Sequence, residues 1–137
     1  MTVRILVDTS FLLECVKRRV DFLEELERLL DSRVRLLVLK PIYEELKRLS
    51  RKRERRAVYA RLVLKILGKT GAETLETGKD VAAVDELIVE MSIRMRLPVA
   101  TNDSKLRKRL RRNGVPVFYL RGLSKIDVDG GEYLGLV

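Results

Sequence analysis

Four acidic residues stand out because carboxylates that share a pocket can bind metal ions or transfer protons. Asp8 and Asp103 each follow a short apolar run that predicts a β-strand, and each precedes a helical pattern. Glu45 and Asp85 lie within two further helical patterns. The chain has no His and a single Cys, which excludes Ser-His-Asp catalysis, Cys-His catalysis and histidine-bound metals. Any catalysis must therefore use carboxylates, Lys, Arg or hydroxyls.

The two strand-end acids have a structural and a functional interpretation. In open α/β sheets the ligand crevice lies beyond the carboxyl ends of the strands, where Asp8 and Asp103 are predicted to lie. An Asp before a helix also accepts hydrogen bonds from the first free backbone N–H groups, so capping alone explains either residue taken singly. Alternative caps are available at Thr9, Ser10, Asn102 and Ser104. We therefore expect both carboxylates to be free for another task.

Direction on a helix distinguishes Glu45 from its neighbour. On the helix that begins at Pro41, about 100° per residue puts Glu45 roughly 65 to 70° from the centre of the apolar stripe. Glu44 lies about 165° from that centre, which predicts that it faces water and pairs with Arg48. The alternative for Glu45 is a surface charge that flanks the stripe.

The same measurement of angles around the helix axis distinguishes Asp85 from Glu86. Both lie on a helix predicted near 80–96, whose apolar stripe includes Val81. Asp85 lies roughly 90° from the centre of the stripe, whereas Glu86 lies about 170° away. Asp is unfavourable in a helix interior, so its position at the edge of the core suggests a use, although a tolerated charge is the alternative.

Four converging carboxylates would raise one another's pKa values unless a cation lies between them. Ligands that are all oxygen favour Mg²⁺ or Mn²⁺, which can activate a water and stabilise the charge that develops on a phosphodiester. The acids therefore predict a divalent-metal site that acts on a phosphate ester.

The hydrophobic pattern predicts the architecture that would position these acids. Strands are predicted at 4–8, 34–39, 97–101 and 115–120, with helical patterns between them, whereas 69–78 resembles a turn. Alternating short strands and helices predict an α/β fold with a parallel sheet covered on both faces, in three layers α/β/α. With 137 residues, 46% of them hydrophobic, we expect 1–137 to form one domain. A turn is expected at 129–131.

Cys15 lies among apolar residues and is expected to be a buried structural thiol, unable to form an intrachain disulfide. No apolar run approaches the roughly 18 residues needed to span a bilayer, and the N-terminus lacks a cleavable signal pattern. We therefore expect a cytoplasmic protein without a membrane partner.

The charge balance favours a polyanionic partner. Lys and Arg outnumber Asp and Glu by 29 to 20, giving a net charge of +9, and RNA or DNA would match it. The basic helix after Asp103 begins at the proposed site, so its cations are predicted to bind RNA phosphates. These cations are Lys105, Arg107, Lys108, Arg109, Arg111 and Arg112. A second basic helix is predicted at 50–65, where Tyr59 offers a stacking surface. A solvated charged face is the alternative for both stretches.

Four segments in this order resemble the motifs of the PIN-domain ribonucleases, and the resemblance covers essentially the whole chain. They are VDTSFLL (7–13), EEL (44–46), VDELI (84–88) and VATNDSKLRKRL (99–110). The last segment, continuing into GVPVFYLRG, is similar to archaeal relatives of the PIN nucleases that process ribosomal RNA. The resemblance implies a five-stranded parallel sheet of order 3-2-1-4-5 and endonucleolytic hydrolysis of single-stranded RNA.

Site residues are also implied by the resemblance. Asp8, Glu45, Asp85 and Asp103 would hold one or two divalent ions, Mg²⁺ or Mn²⁺. Ser10 and Thr101 match small hydroxyl positions of the family and would orient Asp8 or a water on the ion; their alternative role is helix or turn capping. Related archaeal sequences often have two consecutive aspartates in the third motif. Glu86 would be the ligand there if the register shifted by one.

Three functions are compatible with these residues. The leading one is a metal-dependent endoribonuclease of ribosomal RNA maturation. The second is a VapC-type toxin ribonuclease, which an antitoxin would hold. The third is a non-catalytic RNA-binding assembly factor, against which the retention of all four acids argues. The resemblance also implies that a homodimer is possible, since PIN relatives commonly dimerise; the apolar faces of 11–16 and 22–30 suit either the core or an interface.

Overall fold

The computed structural model describes residues 1–78 and 83–134. The strands are β1 (Thr2–Val7), β2 (Arg33–Leu39), β3 (Glu73–Leu75), β4 (Val99–Ala100), β5 (Val117–Arg121) and β6 (Lys125–Asp129). The helices are α1 (Thr9–Lys17), α2 (Phe22–Leu30), α3 (Lys40–Ser50), α4 (Arg55–Lys69), α5 (Val84–Met95) and α6 (Ser104–Arg112), and a 3-10 turn follows at Gly131–Leu134. Among these residues no helix is long and apolar enough to span a membrane.

The sheet has the order β3-β2-β1-β4-β5-β6. Its first five strands are parallel, which confirms the α/β fold and the order 3-2-1-4-5. The count of five strands was too low by one, because β6 pairs antiparallel with β5 at the edge. The alternation in KIDVD turns Ile126 and Val128 to one face. After β6, Gly130 adopts φ 81 at the predicted turn.

Two further sequence expectations differ from the structure. The stretch 69–78, predicted as a turn, contains β3, whose three residues pair with β2 and are too few to show a period. The stretch 50–65, predicted as one helix, is interrupted at 51–54 between α3 and α4. Those four residues are all charged, so they have no apolar face to pack, and packing supplies most helix stability.

The core covers both faces of the sheet. Successive residues of a strand point to opposite faces, yet Ile5, Leu6 and Val7 of β1 all have 0% exposure. Helices must therefore cover both sides, as a three-layer arrangement requires. Phe11 of α1 and Phe22 of α2 pack edge to face, with ring centroids 6.3 Å apart. Leu12 of α1 and Leu26 of α2 are also fully buried, so both helices contribute to the core.

The strand order locates a ligand crevice. The chain moves from β1 outward to β2 and β3, and then returns to the other side of β1 with β4 and β5. The carboxyl ends of β1 and β4 are adjacent, with Val7 paired to Ala100. This is the topological switch point, where α/β sheets bind ligands.

Candidate active site

Asp8 lies at the switch point, at the end of β1. Its side chain is buried, with 8% exposure. Oδ1 accepts a hydrogen bond from the backbone N–H of Thr9 at 2.8 Å. Oδ2 accepts hydrogen bonds from the hydroxyls of Ser10 at 2.9 Å and Thr101 at 2.7 Å. Despite these three donors, burial raises the pKa of Asp8, and the charge of Asp103 adds to the effect.

Ser10 and Thr101 link Asp8 to the turn between β4 and α6. Their hydroxyl oxygens are 3.3 Å apart. Ser10 Oγ accepts from the backbone N–H of Asn102, and Thr101 Oγ1 accepts from that of Asp103, both at 3.1 Å. The hydroxyls therefore fasten this turn and orient Asp8 at the same time. For Thr101, the expected turn capping and the contact with Asp8 coexist.

Asp103 caps α6 with one of its two carboxylate oxygens. Oδ1 accepts from the backbone N–H groups of Lys105 at 2.9 Å and Leu106 at 3.1 Å. The expectation that a neighbour would relieve Asp103 of capping was wrong, because Asn102 Oδ1 instead accepts from the N–H of Leu120 in β5 at 2.9 Å. Within the described part of the chain, Oδ2 of Asp103 accepts no hydrogen bond. That oxygen remains available to a ligand.

Asp85 lies in the first turn of α5 rather than in a helix interior. The predicted start near 80 was wrong for this helix, which begins at Val84, and Val81 lies outside the described residues. The helix dipole favours an acid in the first turn. The low helix propensity of Asp therefore gives no reason to expect a functional role for Asp85. The pKa of Asp85 is raised by partial burial and by the charges of Asp8 and Asp103. Three aspartates are therefore close enough to interact electrostatically.

Glu45 is attached to this cluster through Thr9. It is half-buried on α3, and its Oε2 accepts from the Thr9 hydroxyl at 3.4 Å. Glu44 was predicted to face water, but it is half-buried. Like Glu45, it lines a cleft between α3 and residues 76–78. No ion pair links Glu44 to Arg48 in the described structure. Thr9 was missed by sequence reasoning, although its position between Asp8 and Ser10 was the available signal.

The carboxylates fit a hard divalent cation in their chemistry. Their donors are all carboxylate and hydroxyl oxygens. Burial raises the pKa values of Asp8 and Asp85, neighbouring carboxylate charges add to both shifts, and a bound cation would offset them. Across residues 1–78 and 83–134, no three acidic or Cys side chains are already arranged to ligate one ion. The acids thus form an open cluster that has to close to hold a cation.

The cations of α6 differ in their surroundings. Arg109 makes two hydrogen bonds with Glu86, at 2.6 and 2.7 Å, and this contact lowers the pKa of Glu86. Glu86, the alternative ligand, is therefore engaged with α6. Arg111 pairs with Asp129 at 3.2 Å. Arg107 lies over the ring of Tyr119, 4.1 Å from its centroid. The three remaining cations, Lys105, Lys108 and Arg112, are exposed.

Carboxylates at the switch point of a mostly parallel sheet can bind a divalent cation together with a phosphate, and comparison with known proteins gives the family. The sequence model of the PIN-like domain family matches residues 5–123, which include all four acids and β5. The chain belongs to the PIN-like domain family.

Individual relatives share most of their length with this chain. Ribonuclease VapC4 of Methanocaldococcus jannaschii is 29% identical over 127 residues, covering 93% of this chain and 97% of the relative. The PIN domain endonuclease Utp24 superimposes with a TM-score of 0.78 at 25% identity, covering 92% of this chain and 90% of that one. A domain of a functionally unknown M. jannaschii protein shares the fold, with a TM-score of 0.62 at 13% identity and coverage of 90% and 94%.

Proposed function

We propose that this PIN-domain chain is a divalent-metal-dependent endoribonuclease that hydrolyses phosphodiester bonds of single-stranded RNA, acting in the cytoplasm. The observation that carries the proposal is the cluster of Asp8, Asp85 and Asp103. Burial raises the pKa values of Asp8 and Asp85; the charge of Asp103 adds to both shifts, and the charge of Asp8 adds to that of Asp85. Similarity to ribonuclease VapC4 and to the endonuclease Utp24 supports the same activity.

The proposed ligands of Mg²⁺ or Mn²⁺ are Asp8, Asp85, Asp103 and, from the far side of Thr9, Glu45. When bound, the cation would supply positive charge to activate a water and to neutralise the scissile phosphate. Ser10 and Thr101 hold Asp8 in one orientation through Oδ2, so its Oδ1 keeps a lone pair for the cluster. Asp103 caps α6 with Oδ1 and offers Oδ2.

Helix α6 is proposed to hold the RNA backbone beside these acids. Its N-terminus lies at Asp103, and the positive end of a helix attracts phosphate. The exposed Lys105, Lys108 and Arg112 add positive charge along the helix. Arg109 and Arg111 would join them only by exchanging their present carboxylate partners for phosphate.

The direct test is cleavage of single-stranded RNA by the purified protein with Mn²⁺, for the wild type beside Asp8→Asn and Asp103→Asn. Both variants keep side-chain shape but remove one charge, so cleavage is expected to fall by at least about 100-fold, a typical loss for removal of a catalytic group. The matched control is Asp31→Asn, since Asp31 is exposed and ends α2, before β2 begins. Equal cleavage by all four proteins would refute the site. Tight binding without any cleavage would favour the non-catalytic RNA-binding function instead.

For the biological role we propose ribosomal RNA maturation, because the segment from Val99 to Gly122 resembles archaeal relatives of nucleases with that role. The similarity to VapC4 over 97% of that protein favours a toxin ribonuclease as the second candidate. A toxin is expected to arrest growth when it is produced in bacteria without an antitoxin. A maturation nuclease is expected to bind precursor ribosomal RNA and to co-purify with it. Sequencing the RNA ends produced in each case separates the two roles.

A further inference from the structure

A groove between α1 and α4 adjoins the acid cluster on the side of Ser10. It has a volume of about 550 Å³, and its walls include Ser10, Lys17, Arg55, Arg56 and Tyr59. Ser10 also donates to Asp8, so the end of this α1–α4 groove lies at the proposed active site. One wall of the groove belongs to the basic stretch 50–65, which contains Tyr59, and the proposed metal site does not include it.

Three of the four charged side chains that line the α1–α4 groove are cationic. Lys17, Arg55 and Arg56 are exposed, and none of them forms an ion pair with another described residue. Glu14, the one acid in the wall, pairs with Arg18 at 3.1 Å. Arg55 and Arg56 occupy the first turn of α4, where the helix dipole disfavours cations. Their positive potential therefore adds to that of the helix end and is left for an anionic ligand.

A second, smaller pocket adjoins the cluster on the side of Thr101. This α6 pocket has a volume of about 110 Å³, and its walls include Thr101, Asp103, Arg107 and Tyr119. Ser10 belongs to the groove and Thr101 to the pocket, and their hydroxyl oxygens are 3.3 Å apart. Both hydroxyls donate to Asp8, so the two concavities lie on either side of this residue. Each contains one tyrosine together with arginine.

We propose, resting on the function above, that single-stranded RNA crosses the acid cluster with one flank in the α1–α4 groove and the other in the α6 pocket. In the groove, Lys17, Arg55 and Arg56 contact phosphates, and a base stacks on Tyr59. In the pocket, a base stacks on the free face of the Arg107 guanidinium, whose other face lies on Tyr119. This path accepts only a single strand, because the bases of a duplex are already stacked on one another and cannot stack on Tyr59 or Arg107.

The test measures binding of a fluorescent single-stranded RNA against salt concentration, without divalent cations so that no RNA is cleaved. For single strands the slope of log K against log salt is about −0.7 per phosphate contact, so Arg55→Gln with Arg56→Gln is expected to reduce its magnitude by about 1.4. Arg55→Lys with Arg56→Lys is expected to retain the wild-type slope. The control Arg4→Gln with Arg33→Gln removes the same charge from exposed positions in β1 and β2. It is expected to change affinity less and leave the slope nearly unaltered.

Stacking is tested at Tyr59, which is half-buried against the core. Tyr59→Phe keeps the ring, whereas Tyr59→Leu keeps apolar packing without it. Tyr59→Leu removes one base stack and is expected to weaken RNA binding by about 5- to 150-fold. Tyr59→Phe is expected to keep both the RNA affinity and the melting temperature of the wild type.

The outcomes separate this proposal from the endoribonuclease proposal. If the protein cleaves RNA but the Arg55 and Arg56 variant matches the control in slope, the path through the groove is wrong and the activity stands. If binding depends on the groove but no RNA is cleaved, the path stands and the activity is wrong. A wild type that binds no single-stranded RNA, or that binds duplex RNA equally well, overturns the path.

Discussion

At the scale of single residues, Asp8 shows how burial and hydrogen bonding compete. Three donors hold its carboxylate, yet its pKa is raised because burial outweighs them. The sequence predicted that Asp8 and Asp103 would end strands and open helices. It did not predict that one oxygen of Asp103 caps while the other stays available, because that division depends on where the backbone of 101–106 turns.

The raised pKa of Asp8 predicts a pH dependence of stability. The native state binds the proton more tightly than the unfolded state, so without divalent cations this residue's contribution to the free energy of unfolding is lost as pH rises through the raised pKa. In Asp8→Asn the free energy of unfolding is expected to lose this decline with rising pH. Urea unfolding of both proteins between about pH 4 and pH 8 checks it. Identical pH profiles would contradict the assigned shift, and Asp31→Asn controls for the charge change.

A second prediction concerns Cys15, whose thiol is buried. Burial raises its pKa to about 12, so hardly any thiolate is present near neutral pH. We expect no reaction with a disulfide reagent at about pH 8, where an unperturbed thiol would react. Addition of denaturant is expected to release one reactive thiol per chain. Rapid labelling of the native protein would show that the core does not shield this side chain.

Two substitutions of Asp103 separate its capping role from its charge. Asn caps as well as Asp, whereas Ala is expected to cost about 1 kcal/mol of stability. Both remove the negative charge, so both are expected to abolish cleavage. Thermal unfolding and the RNA assay, performed on the same preparations, give the comparison. An active Asn variant would mean that Asp103 is only a cap.

At the scale of secondary-structure elements, the sequence succeeds where apolar periods are long. Within the helix predicted at 50–65, residues 55–65 lie in α4. The failures are short or interrupted elements, such as β3 with three residues and the break at 51–54. A helix predicted to start near 80 placed Asp85 in a helix interior, whereas α5 starts at Val84 and places it in the first turn. Such boundaries depend on tertiary packing rather than on the local sequence pattern.

The Glu86–Arg109 contact links α5 to α6 and gives a prediction at this scale. Both side chains are substantially exposed, so the ion pair is expected to add little stability. Glu86→Gln would release Arg109 toward RNA and remove one negative charge. RNA affinity is expected to rise several-fold at low salt, with an almost unchanged melting temperature. Glu24→Gln, which breaks an exposed pair with Arg28 on α2, is the control. Weaker binding by the Glu86 variant would contradict this role.

At the scale of the whole molecule, strand order brings together acids that are far apart in sequence. Asp8 and Asp103 meet because β4 returns beside β1, a crossover that no local pattern contains. The resemblance to PIN-domain ribonucleases predicted the strand order 3-2-1-4-5. The alternation of strands and helices by itself predicted only a parallel sheet. The antiparallel β6 was missed because the resemblance implied five strands.

We propose that Asp8, Asp85 and Asp103 share a divalent cation, and anomalous diffraction from crystals of the protein grown with Mn²⁺ would reveal that ion. We expect a manganese peak within coordination distance, roughly 2.0 to 2.3 Å, of oxygens from Asp8 and Asp103, with Asp85 drawn toward it and no peak there in Asp8→Asn. A peak only elsewhere, or none at a concentration that supports cleavage, would contradict the account.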